Sequence, residues 1–211
     1  MSVEAQFRTH EVHNQPEPMP GYNLWRSDLP LQQAIARHGA EWAADNLDAM
    51  GQQVGHELME AGELANRHRP ELHSFDRYGR RIDEVEFHPA YHQLMAAAMA
   101  NQMHSFAWNN AERPGAHVAR AGLMYLYGQA DAGTCCPLTM TYASIPALRH
   151  SPELAAQWVP RLLSSDYDPR TLPAERKRGC TIGMGMTEKQ GGSDVRSNTT
   201  QALLQPDGSY R

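Results

Sequence analysis

"GMTEKQGGSDVRS", Gly185 to Ser197, follows a short apolar run and lies close to the last residue, Arg211. Its adjacent glycines, Gly191 and Gly192, let a backbone pass close to a ligand because neither carries a Cβ. Thr187 and Ser193 flank them with hydroxyls that both donate and accept hydrogen bonds. Exposed amides in such a turn form a concavity that favours anions. The stretch reads as a strand-to-loop site shaped for a polar, phosphorylated cofactor; a glycine pair alone reads as an ordinary tight turn.

On either side of this loop the chain reads as strand. "CTIGMGMT", from Cys180, is short, partly β-branched and punctuated by glycine, and "NTTQALLQ", Asn198 to Gln205, reads as a second strand. Pro206, Asp207 and Gly208 supply a hairpin turn, and Ser209, Tyr210 and Arg211 begin the return. Three residues leave most ladder donors and acceptors unpaired, so the chain is expected to break off inside a β-domain.

Further upstream the pattern is helical. Residues 1 to about 27 are expected to form an extended arm, since Pro16, Pro18, Pro20 and Gly21 oppose a helix; Tyr22 and Trp25 would anchor it. Ser27 and Asp28 offer an N-cap with Pro30 in the first turn, and Leu31, Ile35, His38 and Trp42 recur as one buried stripe. A second helix is predicted over about 53 to 68. Between Arg69 and Phe87 the pattern loosens, and "DRYGRR" reads as a turn in a connector. After His88 and Pro89, Met95, Met99, Met103 and Phe106 form one core stripe. Val118, Gly122, Leu123, Leu126 and Ala130 form another, introduced by Pro114 and Gly115 and closed by Gly133. Pro137 starts a further helix, and Ser151 with Pro152 starts the next, with Leu154 and Trp158 on its inner face. The expected fold class is mainly α: an arm over 1–27, a helical domain over 28–178 and the start of a β-domain over 179–211.

Composition narrows the function. The chain has 211 residues, 41% apolar, enough for one substantial core. A net charge of -5 argues against a general nucleic-acid binder, and Arg176, Lys177 and Arg178 read as a solvated loop. The chain has no run of 18 apolar residues, and its N-terminus is polar and proline-spotted, so a cytoplasmic protein without a membrane span is expected. Cys135, Cys136 and Cys180 fit neither a disulfide framework nor a CxxC site and read as buried reduced thiols. "HEVH", His10 to His13, has the wrong spacing for a zinc site, and His88 and His92 lack a carboxylate partner at ligand spacing. Gly183 and Gly185 begin a G-x-G whose third glycine would fall at Glu188, and the chain carries neither a GK[ST] nor a G-x-S-x-G motif.

The pattern Gly185-Met186-Thr187-Glu188-x-x-Gly191-Gly192-Ser193-Asp194-x-x-Ser197 resembles the first signature of the acyl-CoA dehydrogenases. "THEVHNQPEPMPGYNLWRSD", "GRRIDEVEFHPAYHQLM" and "CCPLTMTYASIPAL" resemble the AidB-like branch of that family, and the similarity spans nearly the whole chain. The resemblance implies an acyl-CoA-dehydrogenase-like helical domain followed by a β-barrel-like middle domain, with FAD as cofactor. It places Met184, Gly185, Met186, Thr187, Glu188, Gly191, Gly192 and Ser193 along FAD, with Met186 and Thr187 facing the isoalloxazine ring. Thr187 and Ser193 would also serve substrate binding. It implies α,β-dehydrogenation of an acyl-CoA-like partner, a homotetrameric parent and a link to the DNA alkylation response, with DNA contacted only through a C-terminal region outside these residues. Glu188 and Asp194 are expected to shape the loop, and no catalytic residue is expected here because the family's catalytic glutamate lies downstream. Two further readings are a plain metabolic acyl-CoA dehydrogenase and a helical interaction module that binds no flavin.

Overall fold

A computed structural model describes residues 9–17 and 19–211; residues 1–8 and Pro18, assigned to the arm from sequence, lie outside the described residues. The arm is not extended to residue 27, as the sequence predicted: Leu24–Ser27 form a helical turn, α1. Asn23 caps it by accepting from the Arg26 amide at 3.1 Å. Leu24 and Trp25 are buried. They pack on α3 (Ala44–Gln53), where Gly51, with Gly55 just beyond the helix, lets the arm cross in direct contact. A Cβ on Gly55 would sit 1.8 Å from the Tyr22 carbonyl oxygen. Arg26 then grips Asp48 through Nε and a terminal nitrogen at 2.7 and 2.9 Å.

Helix α2 (Leu29–Arg37) starts as predicted, with Asp28 accepting from the Leu31 amide at 2.8 Å and Pro30 in the first turn. The predicted stripe through His38 and Trp42 does not hold. The chain turns at Gly39 (φ 69°), His38 is exposed, and only Ile35 of α2 is buried. The periodicity was carried across a glycine that ends the helix. Trp42 re-enters on a 3-10 turn, Glu41–Ala43; it stacks on Phe106 and donates its indole N–H to the Pro114 carbonyl at 2.8 Å.

Helix α3 runs through a π-turn, Val54–Leu58, into α4 (Met59–Arg67), so the second helix starts nine residues before the predicted residue 53, at Ala44. Leu47, Met50, Val54, Leu58 and Ala61 line its buried face. The segment read as a connector is an antiparallel hairpin, β1 (Glu71–Phe75) and β2 (Arg81–Glu86). Asp76 and Arg80 close its three-residue loop, and Gly79 takes φ 76°. Nearly every residue of both strands is exposed, so no apolar alternation marked them.

The remaining helices are α5 (Pro89–Ala100), α6 (Phe106–Asn109), α7 (Ala116–Tyr127), α8 (Cys135–Leu148) and α9 (Pro152–Leu162). Met95, Met99, Met103 and Phe106 are all buried, as are Gly122, Leu123 and Leu126. Gly115 caps α7 at φ 67°, where a Cβ would meet the His38 carbonyl oxygen at 2.5 Å; the helix stops at Gly128, before the predicted Gly133. Leu154 is 47% exposed, against the inner-face expectation, whereas Trp158 does pack inward.

The main core joins α1 to α7 with the start of α8. A smaller cluster around Ile145, Leu162 and Cys180 ties α8 and α9 to the chain that follows them. Among the described residues no helix is long and apolar enough to cross a membrane. All three cysteines are free, but Cys136 is exposed and Cys135 half-buried, so only Cys180 fits the buried-thiol reading.

Toward the C-terminal residue the predicted turn forms. Leu203 and Arg211 exchange two backbone hydrogen bonds of 3.0 Å, Gln205 donates to Ser209 at 2.8 Å, and Gly208 takes φ 81°. The predicted strands over Cys180–Thr187 and Asn198–Gln205 are not ladders. Among the described residues the second carries only the isolated bridge of Leu204 with Tyr210, the first carries none, and the one other bridge here, Glu188 with Gly191, lies in the loop between them. A strand is defined by the neighbour that exchanges its hydrogen bonds, and none is present along Cys180–Thr187.

Candidate functional site

Two helices hold the root of the signature loop. The Cys180 amide donates to the Arg161 carbonyl of α9 at 3.1 Å, and the Ile182 amide donates to Thr141 Oγ1 of α8 at 3.1 Å. Thr141 is aimed by its own bond to the Pro137 carbonyl at 2.8 Å. Pro146 lies within α8 and lacks an N–H, so the Tyr142 carbonyl loses its helical donor. The Trp108 indole replaces that donor at 2.9 Å. Trp108 and Tyr142 are stacked 5.0 Å apart, with the guanidiniums of Arg149 and Arg120 over their rings at 5.2 and 4.1 Å.

Beyond Ile182 the chain leaves the helices and becomes exposed. Glu188 then organises the loop from within. Its Oε1 accepts the Thr199 amide at 2.8 Å and both the amide and hydroxyl of Thr200 at 2.5 Å; Gln190 donates to the other oxygen. The Thr200 hydroxyl and amide, followed by Gln190, push its pKa down from 4.5 to about 2. A carboxylate held that low is a poor proton acceptor, so Glu188 serves as a brace. Asn198 donates to the Met186 carbonyl at 2.8 Å, and the Asp194 carbonyl accepts the Ser197 amide and hydroxyl at 3.2 and 2.8 Å. The loop thus closes through Asp194's backbone, with its carboxylate free of these bonds.

The braced loop presents Met184, Gly185, Met186, Thr187, Gly191, Gly192 and Ser193 as exposed residues, with Glu188 turned back into it. The Gly191–Ser193 bend borders a hollow of about 270 Å³ that also includes Gln190, Asp194, Ser197 and Asn198. The space above Gly185 and Gly191 is open, while a Cβ on Gly192 would come 3.2 Å from the Thr187 methyl. Bare backbone with two nearby hydroxyls fits an oxygen-rich, planar group such as FAD laid along the segment. Met184 and Met186, 52% and 56% exposed, offer an apolar face beside it.

Sequence reasoning missed the supports: Thr141, Ile182 and Asn198 act through backbone contacts that no motif encodes. The histidines set aside as metal ligands have partners of their own. His88 accepts from the Ala90 amide to cap α5, and His92 Nδ1 bonds the Tyr167 hydroxyl at 2.7 Å.

Residues 14–169 match the family described as the Adaptive response protein AidB N-terminal domain, a stretch that ends before the signature loop. The chain is 51% identical over 207 residues to putative acyl-CoA dehydrogenase AidB of Escherichia coli K12, covering 97% of this chain and 38% of that protein. It is 25% identical over 203 residues to acyl-CoA dehydrogenase family member 11 of Caenorhabditis elegans, covering 90% of this chain and 31% of that one. It therefore spans less than two-fifths of either curated relative. Among solved structures, Caenorhabditis elegans ACDH-11 in complex with C11-CoA superposes with a TM-score of 0.75 at 19% identity, over 100% of this chain and 41% of that one. Apo Bd2924 superposes with the same score at 28% identity, over 90% of this chain and 37% of that one. The match along three-quarters of its length, with a fold shared by both solved structures, makes this chain a member of the AidB N-terminal domain family.

Proposed function

We propose that this chain forms the N-terminal part of an FAD-dependent, acyl-CoA-dehydrogenase-like oxidoreductase of the AidB type, tied to the DNA alkylation response in the cytoplasm. The observation that carries the reading is the braced loop itself, which keeps Met184–Thr187 and Gly191–Ser193 uncovered while Glu188 is spent on holding its shape. FAD, when bound, supplies the hydride acceptor for dehydrogenation of an acyl thioester. The chain's own share is to orient: Thr187 and Ser193 donate hydroxyl hydrogen bonds, Gly191 and Gly192 allow close approach, and Met184 and Met186 exclude water from one face. In this reading residues 28–178 are the helical domain and 179–211 open the β-domain. Parent assembly as a homotetramer and contact with DNA fall to segments outside this chain.

Acyl-CoA is the partner favoured by family membership, with ACDH-11, crystallised with C11-CoA, as a relative in fold. A second reading has its own observation: the loop is open on one side, and cofactor sites need walls from several segments. On that reading the isolated chain is a helical interaction module. Equilibrium dialysis of the chain against FAD separates the two. Micromolar retention that falls at least tenfold in Thr187→Val supports the flavin reading, and no retention at millimolar FAD supports the module.

A further inference from the structure

A second hollow, larger than the one beside the signature loop, lies away from it. It is a cleft of about 750 Å³ between the β1–β2 hairpin, α5 and the segment from Tyr167 to Thr181. That volume is in the range of small-molecule sites. Its lining mixes polar and apolar groups: Met95 and Met99, almost fully buried, and the Phe87 and Tyr91 rings, stacked 4.1 Å apart, supply the apolar part. Tyr167 stands opposite, held by its 2.7 Å bond to His92. The hairpin and the facing segment meet across the cleft through Thr171, which donates to Glu84 Oε1 at 3.3 Å.

Charge at the rim selects the occupant. Asp168 is sealed against Arg170 at 2.6 Å and Asp83 against Arg81 at 2.6 Å, so these pairs cancel. That leaves Glu84 and Glu86 on the hairpin wall against Lys177 on the other, with Glu86 also bonding His73 at 2.9 Å. Lys177 forms no ion pair among the described residues. Glu84 and Glu86 are two residues apart on one strand, so both side chains point to the same face. A surplus carboxylate above aromatic rings attracts an organic cation, by direct pairing and by attraction to the ring faces. A polyanion such as coenzyme A meets two carboxylates at the same wall, so this cleft differs in ligand chemistry from the proposed flavin and thioester site.

We propose that the cleft between the hairpin and α5 is a second small-molecule site, selective for a primary amine carried on an aromatic body. The ring lies against Phe87, Tyr91 and Tyr167 while the ammonium reaches Glu84 and Glu86. Isothermal titration of the chain with tryptamine, and separately with indole-3-acetate and coenzyme A, tests this. Tryptamine should bind saturably and at least tenfold more tightly than either anion. Glu84 and Glu86 are exposed, so the E84Q/E86Q double variant should keep its helical circular dichroism and lose about tenfold in tryptamine affinity. Lys177→Glu on the facing wall should tighten the same interaction. No saturable tryptamine binding, equal or tighter binding of either anion, or unchanged affinity in both variants would overturn the assignment. None of these results depends on FAD, so this proposal can fail while the flavin reading stands.

Discussion

Protonating Glu188 removes the acceptor that draws Thr199 and Thr200 against the signature loop. Its pKa is depressed in the folded chain, from 4.5 to about 2. The stability it contributes is therefore fully present above about pH 4.5 and drains away as pH falls toward 2. Amide exchange at Thr199 and Thr200 should accelerate over that window relative to the α3 core, and Glu188→Gln should show the faster exchange already at pH 7. Exchange that is flat with pH at both amides would remove Glu188 as the brace. At this scale the sequence was legible where a motif exists: the glycine pair of "GMTEKQGGSD" forms an exposed bend, and Glu188 shapes the loop as expected. The partners of Glu188 were not legible, because Thr199 and Thr200 lie in a segment read as a plain strand.

Among the elements, α8 offers the sharpest test of how the loop is mounted. Its Tyr142 carbonyl depends on the Trp108 indole because Pro146 supplies no amide. Trp108→Phe keeps a ring but leaves that carbonyl unpaired, at an expected cost of about 1–3 kcal/mol in denaturant unfolding. Pro146→Ala in the same background restores an N–H at the helical position and should recover much of the loss. Two independent, additive losses would contradict this account. Element type was readable from apolar periodicity in α5 and α7, where Met95, Met99, Leu123 and Leu126 are core residues. It failed where periodicity was absent or overrun. The exposed hairpin has no apolar face to announce it, and the stripe drawn from Leu31 to Trp42 ignored the stop at Gly39. Leu154 was placed inward by helix spacing alone, although its neighbours leave it in solvent.

For the molecule as a whole, the helices form a mount: the main core fixes α5 and α7, the smaller cluster fixes α8 and α9, and these two hold the root of the loop. The family follows from the match over residues 14–169, and the fold is that of acyl-CoA dehydrogenase structures. The proposed flavin face rests on residues beyond that match, so it needs its own measurement. In a titration of the isotope-labelled chain with FAD, followed by amide resonances, the account predicts shifts concentrated at Met184–Thr187 and Gly191–Ser193. Resonances around the hairpin cleft should stay still. An unperturbed loop, or shifts centred on the cleft, would contradict the assignment of this segment to the flavin.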